Sequence, residues 1–99
     1  MKPIIHAGDS LDKFANAALL VSPNPSSGKL SVEAHGIEDE LAEIRVFNVS
    51  GVEMSVASEN ALRIRNNEPT EIQINESGVY IIALDLEGTI ISQQKVVIE

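Results

Sequence analysis

Few side chains in this sequence have the type and spacing that catalysis or metal binding requires. His6 and His35 are the only imidazoles, and without Cys, or a second His four residues away, neither predicts a zinc site. The chain has no Cys to act as a thiol nucleophile, and no serine lies in a Gly-x-Ser-x-Gly turn. We therefore expect no enzyme activity, no metal and no cofactor.

The fifteen carboxylates are interpreted as a solvated acidic surface, because most of them fall in loops or at alternating strand positions. A cluster that contains Glu38, Asp39, Glu40 and Glu43 could offer oxygen ligands to Ca²⁺, but it lacks the spacing that wraps one ion. A small hydrolase or a carbohydrate-binding module is the weakest alternative. It would need a deep pocket lined by His35 and two acidic side chains, and the chain has no Trp on which a sugar could stack.

Charge and hydropathy exclude two classes of partner. The chain has 99 residues, a formal charge of -8 and a pI near 4.6, so it repels a phosphate backbone and we expect no nucleic acid. No apolar run approaches the roughly 20 residues of a membrane-spanning helix, so no membrane insertion is predicted. Residues 1–18 have no apolar core of the length that a signal peptide needs; they are predicted to be a linker or N-terminal extension.

The rest of the chain is patterned as short β-strands separated by turns. Residues 9–18 could form one or two helical turns, whereas 19–99 predicts one domain, an all-β antiparallel sandwich of about seven or eight strands. Val79–Leu86 is apolar on both faces and should be central in its sheet, and Phe47 and Tyr80 should fill the core. The remaining strand signals are Ala17–Val21, Leu30–Ala34, Ile44–Asn48, Val52–Val56, Leu62–Arg65, Ile72–Asn75 and Ile90–Ile98.

Four ordered segments resemble a known family. Ser22–Val32 contains Pro-Asn-Pro-Ser-Ser-Gly, Ile44–Gly51 is a strand that ends in a glycine turn, Ser77–Ile82 reads Ser-Gly-Val-Tyr-Ile-Ile, and Lys95–Ile98 closes the chain. In this order they are similar to the C-terminal sorting domains of the type IX secretion system of Gram-negative bacteria. By resemblance, the sorting-motif residues are Pro23, Asn24, Pro25, Gly28, Gly51, Gly78, Val79, Tyr80, Lys95, Val96 and Val97.

The resemblance implies a non-catalytic address label with an immunoglobulin-like fold, carried by a parent protein that is secreted or displayed on the cell surface. Its implied partners are the outer-membrane secretion machinery and a sortase-like cysteine protease. Recognition would fall on the last strands, Gly78–Ile82 and Lys95–Ile98, through backbone pairing along an exposed edge. The alternative is an immunoglobulin-like adhesion or spacer module. We expect a monomer or a weak dimer.

Overall fold

The computed structural model describes residues 16–54 and 62–99, and every regular element in them is a β-strand. The predicted helical turns over 9–18 lie mostly outside the described residues, and Ala18 at their end already belongs to the first strand. Val56 also lies outside them. The strands are β1 (Ala18–Ser22), β2 (Lys29–His35), β3 (Leu41–Asn48), β4 (Glu53–Met54), β5 (Leu62–Arg65), β6 (Thr70–Gln73), β7 (Gly78–Leu86) and β8 (Thr89–Ile98).

These strands form two antiparallel sheets. The three-stranded sheet has the order β1-β2-β6, and the five-stranded sheet has the order β4-β3-β7-β8, with β5 paired to β3 beside β4. β7 is therefore an interior strand, as its two apolar faces predict. The all-β antiparallel sandwich of eight strands confirms the predicted fold class, whereas its immunoglobulin-like type stays a prediction. No helix in the described ranges has the length and apolarity to cross a membrane.

The core lies between the two sheets and is built from the inward positions of alternating strands. In β2, Leu30, Val32 and Ala34 are buried while the residues between them are more exposed, as the period of two in the sequence predicts. Tyr80 joins this core with 4% of its surface exposed, so that prediction is confirmed. Phe47 does not: it is only half-buried, because it alternates with the inward-facing Val46 and so lies on the outer face of β3.

Two asparagines connect the sheets where the chain leaves β5. The Asn67 N–H donates to the Ala34 carbonyl oxygen at 2.7 Å, and the Asn66 Oδ1 accepts the Ile37 N–H at 3.1 Å. Both bonds attach Asn66 and Asn67 to the end of β2, which is the strand that pairs with β6 in the smaller sheet. The crossover is thus held by backbone groups that would otherwise be unpaired near the core.

A glycine sets the path between the Pro-Asn-Pro segment and β2. Gly28 has φ +135°, and a Cβ on it would lie 2.9 Å from the Ile74 carbonyl oxygen. The same Gly28 accepts the Ile74 N–H at 2.8 Å, so the two backbones cannot separate without breaking a hydrogen bond. Glycine is required here for both its conformation and its size.

We predict that Gly28→Ala lowers the free energy of unfolding by about 2 kcal/mol, since it adds backbone strain to a backbone clash. Gly88→Ala is the matched control, because Gly88 has φ +90° but open space around its Cβ position and retains only the conformational cost. Urea unfolding of both variants measures the difference. Equal destabilisation by the two substitutions would contradict the close approach at Gly28.

Candidate functional site

The four segments that are distant in sequence meet at one end of the sandwich. Tyr80 pairs with Asn48 in β3, Gly78 pairs with Ile98 in β8, and Ser26 forms a parallel bridge with Ile98. We call this region the motif end and define it as residues 22–29, 48–53, 76–80 and 95–99. All eleven sequence-predicted motif residues lie in it.

Asn24 connects the first of these segments to the last. Its side-chain Nδ2 donates to the Lys95 carbonyl oxygen at 3.1 Å, and its Oδ1 accepts the Val97 N–H at 3.0 Å. A primary amide offers a donor and an acceptor on one planar group, so Asn24 pairs with the β8 backbone as a neighbouring strand would. Pro23 and Pro25 flank it, both after cis peptide bonds.

Ser26 extends this contact by means of its backbone. The Ser26 N–H donates to the Val97 carbonyl oxygen at 2.9 Å, and the Ser26 carbonyl oxygen accepts the Glu99 N–H at 2.8 Å. Its hydroxyl is buried, donating to the Lys29 carbonyl oxygen and accepting the Gly28 N–H at 3.0 Å. Ser26 therefore fixes the turn and covers the end of β8 at the same time.

In the Gly78–Tyr80 segment, Val79 and Tyr80 lie on opposite faces of the larger sheet. The Tyr80 ring points into the core opposite Val96, while Val79 lies opposite Val97 on the outer face. The Tyr80 hydroxyl donates to the Glu76 carbonyl oxygen at 2.8 Å, which supplies the partner that a buried phenol needs. This bond ties the loop before β7 to the strand itself.

The turn after β3 is held by hydrogen bonds and exposes two apolar side chains. Asn48 Oδ1 accepts the N–H groups of Ser50 and Val52 at 2.9 and 3.0 Å, and Gly51 has φ +85°. Val49 is 75% exposed and Val52 is 58% exposed. The motif end therefore presents apolar surface that the fold itself does not use.

The pairing pattern corrects the predicted mode of recognition. Tyr80–Ile82 has no open edge, because β7 is paired there with β3 on one side and with β8 on the other, and Gly78 and Val79 are paired with β8. The outward backbone groups of Lys95–Ile98 are already bonded in large part, through Asn24 and Ser26. A partner strand could pair with the edge at Lys95–Ile98, as the sequence predicted, only if the segment that contains Asn24 and Ser26 first moved away from β8.

Sequence reasoning missed an ionic network on the outer face of the larger sheet. The Arg45 guanidinium donates from Nε and Nη2 to the Glu53 carboxylate at 3.1 and 2.6 Å, and from Nη1 to Asp85 Oδ2 at 2.9 Å. Asp85 is 5% exposed, and its other oxygen accepts the Gly88 N–H at 2.8 Å. The Arg45 guanidinium also lies 5.5 Å from the centre of the Phe47 ring, a cation–π distance.

Electrostatics within this network follow from the hydrogen bonds. The bonds from Arg45 hold the pKa of Glu53 below its ordinary value of 4.5. The pKa of Arg45 is raised, first by its bond to Glu53 and then by its bond to Asp85. The only sequence signal for this network was the position of Arg45 in β3, which the alternation of the strand places on the outer face. The partners of Arg45 come from other strands.

In the part of the chain that the structure describes, the remaining candidates for chemistry lie apart from one another. A groove of about 340 Å³ is lined by Leu41, Glu43, Arg63, Asp85, Glu87 and Gly88, and His35 is not among these residues. His35 Nε2 lies 3.4 Å from Glu33 Oε2 at the other sheet. Within the described residues, no three His, Cys, Asp or Glu side chains are arranged to hold a metal ion.

Comparison with protein families identifies the chain. The family model for the secretion system C-terminal sorting domain matches residues 20–99, and the chain belongs to this family. The domain is therefore a C-terminal sorting signal of type IX secretion, and its parent protein is exported to the cell surface or secreted. No curated protein and no solved structure matches the chain.

Asn24 provides the first test of the motif end. We predict that Asn24→Ala lowers the free energy of unfolding by about 1–2 kcal/mol, since two hydrogen bonds to β8 are lost. The Val97 amide should also exchange faster with solvent, as seen by NMR. Asn24→Asp is the matched variant: it keeps an acceptor for the Val97 N–H but has no donor for the Lys95 carbonyl oxygen. An unchanged Val97 exchange rate in Asn24→Ala would contradict the contact.

The ionic network predicts a pH dependence. Because the pKa of Glu53 is lowered in the folded state, its ion pair stabilises the fold above about pH 4.5, and this contribution is lost as the pH falls through the lowered pKa. Glu53→Gln should therefore lower the unfolding midpoint at pH 7 and leave it unchanged at the acid end of the titration. Glu71→Gln, which removes an exposed carboxylate on β6, is the control. A deficit of Glu53→Gln that persists at low pH would show that the pair has another role.

Proposed function

We propose that the secretion machinery in the outer membrane recognises this domain at the motif end, and that the domain itself is non-catalytic. The observation that carries the proposal is the convergence of all four family segments on one end of the sandwich, through the pairing of Ser26 and Gly78 with Ile98 and of Tyr80 with Asn48. Several of these residues have structural roles there, but the exposed surface they frame is not needed for the core.

The composition of that surface suits a protein partner. Val49 and Val52 are apolar and exposed on a turn whose conformation is fixed by Asn48. Apolar side chains held in one conformation lose little entropy on binding. The groove near Glu43 and Glu87 lies at the opposite end of the sheet.

The proposal includes removal of the domain after export. A sortase-like cysteine protease would cleave upstream of the sandwich, in the part of the chain that precedes β1, and join the parent protein to the cell surface. β1 begins at Ala18 and is paired along its length with β2, so cleavage before it would leave the sandwich intact. The resemblance to the sorting-domain family is what suggests this step.

Export of a fusion protein tests the proposed surface. A periplasmic reporter fused to residues 1–99 should appear on the cell surface in a host with a type IX system. The double substitution Val49→Ser and Val52→Ser should reduce display towards that of the reporter alone, because it removes exposed apolar contacts without touching the core. Leu41→Ser is the matched control, since Leu41 is 41% exposed at the opposite end of β3, and it should be displayed normally.

The outcomes separate the candidate functions. Retention of the unsubstituted fusion in the periplasm would contradict a sorting signal and favour the immunoglobulin-like adhesion or spacer module. Normal display of the double variant would instead show that recognition does not use the turn after β3. Deleting residues 95–99 should abolish display, since it removes both the end of β8 and the partner of Asn24.

A further inference from the structure

One row of side chains crosses the outer face of the larger sheet near the motif end. Phe47 pairs with Glu53 on one side and with Ile81 on the other, and Ile81 pairs with Lys95 of β8. Directly paired residues point to the same face of a sheet, and this face is the outer one because Val46, next to Phe47, is buried in the core. We call this set the charged row and define it, in its order across the sheet, as Glu53, Phe47, Ile81 and Lys95.

The middle of the charged row is apolar and accessible. Phe47 and Ile81 are only half-buried. Beside them, on the same face, Val79 pairs with Val97, which is 37% exposed. A contiguous apolar patch with a polar rim is typical of a protein interaction surface, and this patch spans three strands.

Both ends of the charged row can take another charged partner. The Glu53 side chain is 45% exposed, and a carboxylate has about four acceptor sites, of which Arg45 uses two through Nε and Nη2. Lys95 is exposed and forms no ion pair within the described residues. The row therefore has an available negative charge at one end and an available positive charge at the other.

The order of the charged row makes it complementary to itself. A two-fold axis that runs along the strands, between two outer faces, reverses the row in the second copy. Glu53 of each copy then lies opposite Lys95 of the other, and Phe47 lies opposite Ile81. Such exchanged pairs define an isologous interface. A two-fold axis across the strands would instead place Glu53 against Glu53 and Lys95 against Lys95, which charge repulsion disfavours.

The net charge of the domain opposes this contact and keeps it weak. Two copies with a formal charge of -8 each repel each other over distance. At an ionic strength of 0.15 M the screening length is about 8 Å, so most of this repulsion is removed while groups in direct contact still attract.

We propose that the outer face of the larger sheet is a self-association site, at which the charged rows of two copies of this domain pack in reversed order as a weak two-fold dimer. This inference does not rest on the proposed sorting function, because its readout is the oligomeric state of the purified domain.

Sedimentation equilibrium of residues 1–99 over a concentration series at 0.15 M salt tests the site. We expect a reversible monomer–dimer equilibrium. Lys95→Glu should raise its dissociation constant about tenfold, since it turns two attractive exposed contacts into repulsive ones. Lys29→Glu is the matched control: Lys29 is exposed on β2 in the smaller sheet, and its substitution makes the same change in net charge. A monomer at every concentration, or equal effects of the two variants, would overturn the proposal.

A mixing experiment tests the reversed order of the rows. Glu53→Lys and Lys95→Glu should each dimerise poorly alone, whereas their mixture should form a heterodimer, because both ends of the mixed interface then join opposite charges. Both variants remain acidic, so net charge does not produce this recovery. A mixture of the two folded variants that stays monomeric would overturn the two-fold arrangement.

The apolar middle of the row gives a test that keeps the bond between Glu53 and Arg45, and it decides the proposal if Glu53→Lys does not fold. Ile81→Ser should abolish the dimer, since it removes an apolar contact on each side of the axis. Leu20→Ser is the matched control, because Leu20 is 54% exposed on the smaller sheet, and it should dimerise like the unsubstituted domain. Dimerisation of a folded Ile81→Ser domain at the unsubstituted strength would place the contact elsewhere and overturn the proposal.

Discussion

The side-chain amide of Asn24 and the backbone of Ser26 hold the last strand of the chain. β8 is bonded to β7 on one side only, and a terminal strand with an open edge is prone both to fraying and to pairing with other chains. The first turn of the domain covers the final residues of that edge with four hydrogen bonds. The beginning and the end of the domain therefore depend on each other.

This dependence gives the short family segments a common physical purpose. Gly28 lets the first turn approach β6, and the Gly78–Tyr80 segment carries the strand to which β8 pairs. None of these features does chemistry. Together they complete one end of a sandwich only when the whole domain is present and folded.

Periodicity predicted the elements of this fold well, because alternation and turn residues are local properties. The interior position of β7 followed from its two apolar faces, and the burial of Tyr80 followed from its place in that strand. The prediction that Phe47 fills the core is wrong, because Phe47 alternates with the inward-facing Val46 and lies on the outer face of β3. The Asn24 contact and the Arg45–Glu53–Asp85 network join distant strands, and nothing local in the sequence specifies their register.

The most direct test of this account is a through-hydrogen-bond NMR coupling in the isolated domain. Labelled with ¹⁵N and ¹³C, the domain should show a coupling between the Asn24 side-chain nitrogen and the Lys95 carbonyl carbon, because the Nδ2 group donates to that oxygen at 3.1 Å. The Asn24 amide protons should also show contacts with the β8 backbone. An Asn24 side chain with averaged, solvent-like signals and no contact to β8 would contradict the central claim.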